Sequence, residues 1–274
     1  MSGLIRISDP DDPRIAAFRS IRERDLTGRD GLFIAEGKVV LRMLVDAHAA
    51  GTGFTTRSVL LLENRVDGLR DILDHLSSDV PVYVASGTVF DEIAGFHMHR
   101  GILALGSSAH RPGRADMLDS LPASSLVLVA CGLSNHDNIG SLFRNAAAFG
   151  VDGVLLDETC CDPLYRKAIR VSVGAVLKVP FARGSAIADI LQDLTGQGFE
   201  LWGLSPRGTV DIRDISATPR IALVMGTEGE GLPEAVMRTI QTARIRQRPG
   251  LDSLNVATAT GIALHEVARL KGLV

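Results

Sequence analysis

Two uninterrupted apolar runs limit the fold more than any other feature: Leu126-Val127-Leu128-Val129-Ala130 and Ile221-Ala222-Leu223-Val224-Met225. Each is far shorter than the roughly 18–20 apolar residues of a membrane span. Neither alternates polar with apolar residues, so a strand built from either must be covered on both faces. Such strands belong to a mostly parallel sheet with helices on both sides. The chain around them fits that α/β pattern. Further strands are expected at 153–156, 178–181, 200–204 and 243–245, and helices at 141–149, 164–173, 186–194, 233–239 and 254–271.

A second alternating series precedes this one. Phe33-Ile34-Ala35 reads as a strand leading into a helix at 37–50, with Val40, Leu41, Leu44 and Val45 on one face. Strands follow at 58–62, 80–85 and 101–105, with helices at 67–76 and 88–94. Between the two series, residues 107–122 hold two prolines, a glycine, three serines and four charges without an apolar period, the composition of a linker. The expected organisation is a small α/β/α domain over 1–106, a linker over 107–122 and a larger α/β domain over 123–274. A chain of 274 residues is long enough for two cores.

Composition narrows the function classes. The opening segment MSGLIRISDPDDPR is polar and acidic, unlike a leader peptide, so a cytoplasmic protein without a membrane anchor is expected. Three cysteines, with Cys160 and Cys161 adjacent, suit neither a disulfide framework nor a usual zinc site, and no metal is expected. Buried or unreactive thiols in a reducing compartment are the simpler reading. A net charge of −3 gives no sign of the broad basic face of a protein that coats phosphate. Nucleic-acid contact would rest on local clusters: His97, His99 and Arg100; Arg111 and Arg114; Arg166, Lys167 and Arg170; Arg244, Arg246 and Arg248.

Ligands of open parallel sheets sit beyond the carboxyl ends of the strands, where three loops stand out. The first, 134–146, contains Asn138, Ser141 and Arg144. Asn138 or Ser141 is expected to cap the following helix, with Arg144 on roughly the same face. A helix N-terminus beside an arginine suits an anion such as an RNA phosphate. The second, G-T-E-G-E-G-L-P at 226–233, has three glycines that permit positive φ and close backbone approach to a ligand. It is neither G-x-G-x-x-G nor a phosphate-cradling P-loop. The third, 245–257, brings polar Ser253 and Asn255 to the start of an otherwise small and apolar helix.

Order and spacing together are more specific than any one loop. N-I-G-S-x-x-R-x-A-x-x-F-G (138–150), L-V-M-G-T-E-G-E-G-L (223–232) and S-L-N-V-A-T-A-T-G-I-A-L-H-E (253–266) resemble the SpoU (TrmH-like) family of RNA 2′-O-ribose methyltransferases, in the SPOUT superfamily. The resemblance covers essentially all of 123–274. Residues 31–106, with F-I-A-E-G-K (33–38) and H-R-G-I-L-A-L (99–105), are similar to the family's ribosomal-protein-like substrate-binding domain.

The resemblance implies a C-terminal trefoil knot over roughly 221–260, although connection rules make knots nearly absent from proteins. It implies S-adenosylmethionine bound in that knot, lined by Met225, Gly226, Ile245 and Leu254, and a homodimer formed through the C-terminal domain. The implied reaction is methylation of a ribose 2′-hydroxyl in RNA. Ribosomal RNA is favoured over transfer RNA, because compact tRNA-modifying relatives often lack the first domain. Arg144 is the implied activating residue, with Asn138, Glu228, Ser253 and Asn255 positioning it, the ribose and the loops. Arg100, His97, His99, Arg166 and Arg170 are the expected RNA contacts. One departure stands out: Arg246-Gln247-Arg248 follow Ile245 where the family has proline and a small or apolar residue.

Two other classes remain open at this point. One is a catalytically inactive RNA- or ribosome-binding protein of the same fold. The other is a Rossmann-type nucleotide enzyme, which would carry a glycine fingerprint in the first turn of the second domain; C-G-L-S-N-H-D-N-I-G-S (131–141) is not one.

Overall fold

A computed structural model of the chain describes residues 3–19, 31–95, 100–227, 229–248, 250 and 253–274. It divides into two compact units, Met1–Arg111 with Leu164–Lys178, and Pro112–Pro163 with Val179–Val274.

In the first unit the strands are β1 (Leu4–Ile7), β2 (Leu32–Glu36), β3 (Thr55–Leu62), β4 (Val82–Ala85) and β5 (Ile102–Ser107). They form one mixed sheet in the order β1-β4-β3-β5-β2. Strand β4 runs parallel to β1 and β3, and β5 antiparallel to β2 and β3. Helices α1 (Lys38–Ala49), α2 (Arg70–Leu73) and α3 (Gly87–Ala94) accompany it. Helix α1 buries Val40, Leu41, Leu44 and Val45, the stripe its period picks out. Phe90 and Ile93 of α3 close a core with Ile15, Phe18, Ile34, Leu60 and Leu103. The helix expected at 67–76 shrinks to 3-10 turns and the four residues of α2, with Gly68 sitting in the turn. Strand β1 was not expected: it is four residues long, and within them Leu4 is exposed and Ile7 buried.

The second unit opens with α4 (Arg114–Asp119), β6 (Ser125–Ala130), α5 (His136–Ala148) and β7 (Gly153–Asp157). Next in the chain is α6 (Arg166–Val171), which belongs to the first unit. The second unit resumes with β8 (Phe181–Ser185), α7 (Ile187–Gly196), β9 (Glu200–Leu204), β10 (Val210–Asp211), β11 (Arg220–Met225), α8 (Glu234–Met237), β12 (Gln241–Arg244) and α9 (Val256–Leu270). Its sheet runs β10-β12-β9-β11-β6-β7-β8, with every pair parallel.

The two apolar runs lie side by side at its centre. Leu126–Ala130 and Ile221–Val224 are wholly buried, and β6 pairs with β11 along six residues. At roughly 1.5–3 kcal/mol for each large apolar side chain removed from water, this pair anchors the unit. Val127 and Val129 point into a cluster with Met117 and Leu118 of α4 and Ile190 and Leu194 of α7. Helices α5 and α9 pack against each other and bury a separate set, including Ile139, Phe143, Leu264 and Val267.

Three expectations need amendment. Residues 107–122 are not a bare tether: Met117 and Leu118 lie in the core, and Arg114 pairs with Asp193 at 3.0 Å. Three apolar residues at 117, 118 and 121 are too few to reveal a period. The segment 164–178, read as part of the second domain, groups with the first unit, where α6 packs on β2 and buries Ala168 and Ile169. The strand expected at 178–181 starts later, at Phe181, because 175–177 form a 3-10 turn.

Cys131 and Cys160 flank a buried carboxylate, Asp157, at the end of β7. Burial alone would raise the Asp157 carboxyl, but the Thr159 hydroxyl, the N–H of Gly132 and the thiol of Cys160 hold it below its ordinary range. Its contribution to stability is therefore present above the unfolded value near pH 4 and is lost as pH falls through the lower folded value. Burial pushes Cys131 up to about 12 and Cys161 up to about 11, and Cys160 moves in the same direction. Thiols so protonated are poor nucleophiles. A colorimetric thiol titration at pH 7.5 should find all three cysteines unreactive in the folded protein and all three reactive in denaturant. Rapid labelling of any one in the native state would contradict this environment.

Candidate active site

The carboxyl ends of β9, β11 and β12 and the entry to α9 surround a cavity of about 510 Å³, within the range of small-molecule sites. From β11 come Met225, Gly226 and Thr227; from β9, Leu204, Ser205 and Arg207; beyond β12, Ile245 and Gln247; before α9, Ser253, Leu254 and Asn255. The four expected cofactor residues, Met225, Gly226, Ile245 and Leu254, thus meet on one wall system with Ser253 and Asn255. Ser205, Arg207 and Thr227 were not among the expected site residues, and Gln247 entered only through the departure Arg246-Gln247-Arg248. The loop after β9 leaves another carboxyl strand end, so the rule that selected three loops points to this fourth one equally.

Gly226 is needed for a reason other than ligand approach. A Cβ there would lie 2.3 Å from the carbonyl carbon of Gly231 and from the nitrogen of Leu232. The loop folds back on itself: Thr227 and Gly231 exchange two backbone hydrogen bonds of 3.2 Å, and the Thr227 hydroxyl donates to the Gly231 carbonyl. The crowding is backbone on backbone.

Capping of α5 also differs from expectation. Asn135 is the cap, accepting the Asp137 N–H at 2.8 Å, so Asn138 falls inside the first turn, where it is buried. Its Oδ1 accepts a hydrogen bond from Asn255 Nδ2 at 3.1 Å. Asn255 in turn caps α9, its own Oδ1 accepting the N–H groups of Ala257 and Thr258. A second tie runs from Asn145 Nδ2 to the Ala257 carbonyl at 2.8 Å. The start of α9 is thereby fastened to α5 at two points, Asn138 in its first turn and Asn145 near its end.

Arg144 is not on the face of Asn138. Six residues at about 100° each leave the two side chains about 120° apart, with Asn138 buried and Arg144 exposed. Arg144 makes no hydrogen bond or ion pair with another described residue and does not line the cavity. Glu228, His97 and His99 lie outside the described residues. Arg100, Arg166 and Arg170 belong to the first unit.

The unusual Arg246-Gln247-Arg248 resolves simply. Arg246 is held 2.8 Å from the Asp211 carboxylate, which also accepts from Arg213 at 2.9 Å. Arg213 first, then Arg246, keep that buried carboxyl well below the usual carboxylate range. Of the three, only Gln247 lines the cavity, and Arg248 is exposed.

Residues 125–265 match the model of the SpoU rRNA methylase family. An uncharacterised tRNA/rRNA methyltransferase of Mycobacterium tuberculosis is 37% identical over 272 residues, covering 96% of this chain and 91% of that one. The fold matches an rRNA methyltransferase of Sinorhizobium meliloti, solved with S-adenosylmethionine, at a TM-score of 0.80 and 24% identity, over 97% and 98% of the two chains. It also matches a crystal structure described as an RNA 2′-O ribose methyltransferase, at 0.77 and 25% identity, over 99% and 100%. The chain belongs to the SpoU methylase family. It is an RNA methyltransferase, and the family's methyl donor is S-adenosylmethionine.

Because Gly226 is hemmed in by backbone, Gly226→Ala should cost about 1–3 kcal/mol of stability, the range of overpacking in a filled site, and weaken S-adenosylmethionine binding. An unchanged melting temperature would show that the loop accommodates a methyl group. Asn255→Ala should cost about 1–2 kcal/mol through the lost cap and bridge. Asn255→Ser keeps a cap without reaching Asn138, so its smaller loss in denaturant unfolding measures the bridge alone.

Proposed function

We propose that the protein methylates the 2′-hydroxyl of a ribose in RNA, ribosomal RNA rather than transfer RNA, with S-adenosylmethionine held in the cavity beyond β9, β11 and β12. The observation that carries this reading is the convergence of Met225, Gly226, Ile245, Ser253, Leu254 and Asn255, from separate stretches of chain, on that one cavity. The residues fit the cofactor. Leu204, Met225, Leu232 and Leu254 offer apolar surface to a nucleoside, and Arg207 and Glu230 bring opposite charges suited to an amino-acid zwitterion. A solved relative described as an RNA 2′-O ribose methyltransferase, matched along nearly its whole length, supports the ribose hydroxyl as acceptor. The first unit, which compact tRNA-modifying relatives often lack, favours ribosomal RNA.

When bound, the cofactor supplies a methyl group already activated on a sulfonium. The protein's task is to align the hydroxyl and ease its deprotonation. Arginine is a poor base, since its pKa lies above about 12. Arg144, exposed and unpaired among the described residues, instead holds the adjacent phosphate and the developing alkoxide. Asn138 and Asn255 keep the starts of α5 and α9 in register for it. Ser253 and Glu228 orient the ribose and the glycine loop.

The same reading takes the C-terminal segment to be knotted. Strand β12 pairs beyond β9, yet α9 returns to pack on α5, a path that suits passage of 221–260 through a loop. It takes the enzyme to be a cytoplasmic homodimer joined through the second unit, where Ile262 of α9 is 38% exposed. Arg100, His97, His99, Arg166 and Arg170 give the first unit its RNA contacts.

The test is product identity. Incubated with S-adenosylmethionine and RNA from cells lacking the gene, the protein should yield a 2′-O-methylnucleoside by mass spectrometry of nuclease digests, from ribosomal and not transfer RNA. A base-methylated nucleoside would overturn the assignment. Arg144→Ala should lower the single-turnover rate by about 10²–10³ and leave S-adenosylmethionine affinity unchanged; a near-normal rate would remove Arg144 from this role.

A further inference from the structure

We propose that the first unit carries a pocket for a single unpaired guanosine of the RNA. This rests on the reading that the first unit touches RNA, and adds to it what is recognised there. A cavity of about 460 Å³ opens at the junction of β2 and α1, and is lined by Glu36, Val39, Arg65, Arg100, Arg170 and Val173 among others.

Glu36 is the anomaly within it. It is 8% exposed, and its nearest partners are Arg100 Nε and Arg166 Nη1, each 3.9 Å away. Both lie beyond hydrogen-bond reach, and no hydrogen bond to the Glu36 carboxylate exists among the described residues. The two guanidinium groups offset its charge without hydrogen-bonding it, and the residue lines the cavity, so its oxygens are free to accept from a ligand that brings donors.

The rest of the wall defines that ligand. Arg170 is exposed and makes no ion pair with a described residue, and Arg100 is 55% exposed at its side chain; together they suit a phosphate at the rim. Gly37, at φ 94, starts α1 without a side-chain cap, so the first N–H groups of that helix add to the same positive field. Val39 and Val173 are 54% and 36% exposed and give the mouth apolar surface. Val173 sits there at φ 54, a strained conformation for a β-branched residue.

Acceptor oxygens at the floor, cations at the rim and apolar walls match a nucleotide whose base presents donors. Guanine presents two adjacent donors, N1–H and the 2-amino group, which a carboxylate accepts together. Adenine and cytosine place an acceptor beside their single amino group, and uracil flanks its imino donor with two acceptors. That edge of guanine is occupied in a duplex, so the base must be unpaired, the form in which proteins read RNA sequence.

The test uses the full chain and fluorescein-labelled single-stranded RNA dodecamers followed by anisotropy. A uridine dodecamer with one central guanosine should bind about tenfold tighter than the all-uridine strand or its adenosine counterpart. Inosine, which keeps N1–H and lacks the 2-amino group, should fall between. In Glu36→Gln the guanosine advantage should drop below about twofold with S-adenosylmethionine binding intact. Arg170→Ala should weaken every strand alike and reduce the salt slope by roughly 0.7, the value of one phosphate contact. Equal affinity for guanosine and uridine strands in the unaltered protein overturns the pocket, and needs no variant to fold. If Arg170→Ala still weakens binding in that case, RNA contact by the first unit stands and only the guanosine pocket falls. Guanosine monophosphate binding as tightly as the guanosine strand would assign the pocket to a free nucleotide and overturn the RNA source.

Discussion

The pairing of β6 with β11 is the constraint on which the second unit is built. Both strands are apolar at every central position and are buried on both faces. Their backbone groups are satisfied only within the sheet, so their neighbours must be strands and their faces must be covered by helices. Polar chemistry is thereby pushed to the strand ends. The Cys131 N–H bonds to the Met225 carbonyl at 2.9 Å and extends the ladder by one step. Past that bond the two chains diverge, one into the α5 entry and the other into the glycine loop. The cavity, the Asn138–Asn255 bridge and the Asp157 cluster all lie at this end.

What the sequence revealed follows from length and period. Both central strands, β9 and the apolar stripe of α1 were legible because several residues repeat one pattern. Strand β1, strand β10 and helix α4 were not: the strands offer only four and two residues, and α4 buries only Met117 and Leu118. The glycine loop and Ser253-Leu254-Asn255 were legible as polar interruptions at strand ends. The bond between Asn138 and Asn255 was not, because it joins residues 117 positions apart. Nor does any local pattern show that Arg246 turns to Asp211, or that Leu164–Lys178 packs with Met1–Arg111.

Net charge was a poor guide for a related reason. Many arginines are committed inside the protein: Arg213 and Arg246 to Asp211, Arg114 to Asp193, and Arg220 to the Gln197 carbonyl and the Phe199 ring. Arg144, Arg170 and Arg207 have no such side-chain partner among the described residues. An exposed ion pair contributes only about 0–1 kcal/mol, so leaving them unpaired costs little stability. Their charge stays directed outward, and an acidic total conceals it.

Asn255 shows how tightly the fold and the site are bound together. Its carbonyl oxygen caps α9, its amide nitrogen reaches Asn138, and the residue lines the cavity. Serine can cap but has no second group to reach across to α5. Aspartate caps well but donates nothing to the Asn138 oxygen. Glutamine can donate, yet its longer side chain is a weak cap. Asparagine alone among them carries an acceptor and a donor on the same short stem. The residue at this position is therefore dictated by the joining of two helices, and whatever it does for the ligand is done from a geometry that the joint has already set.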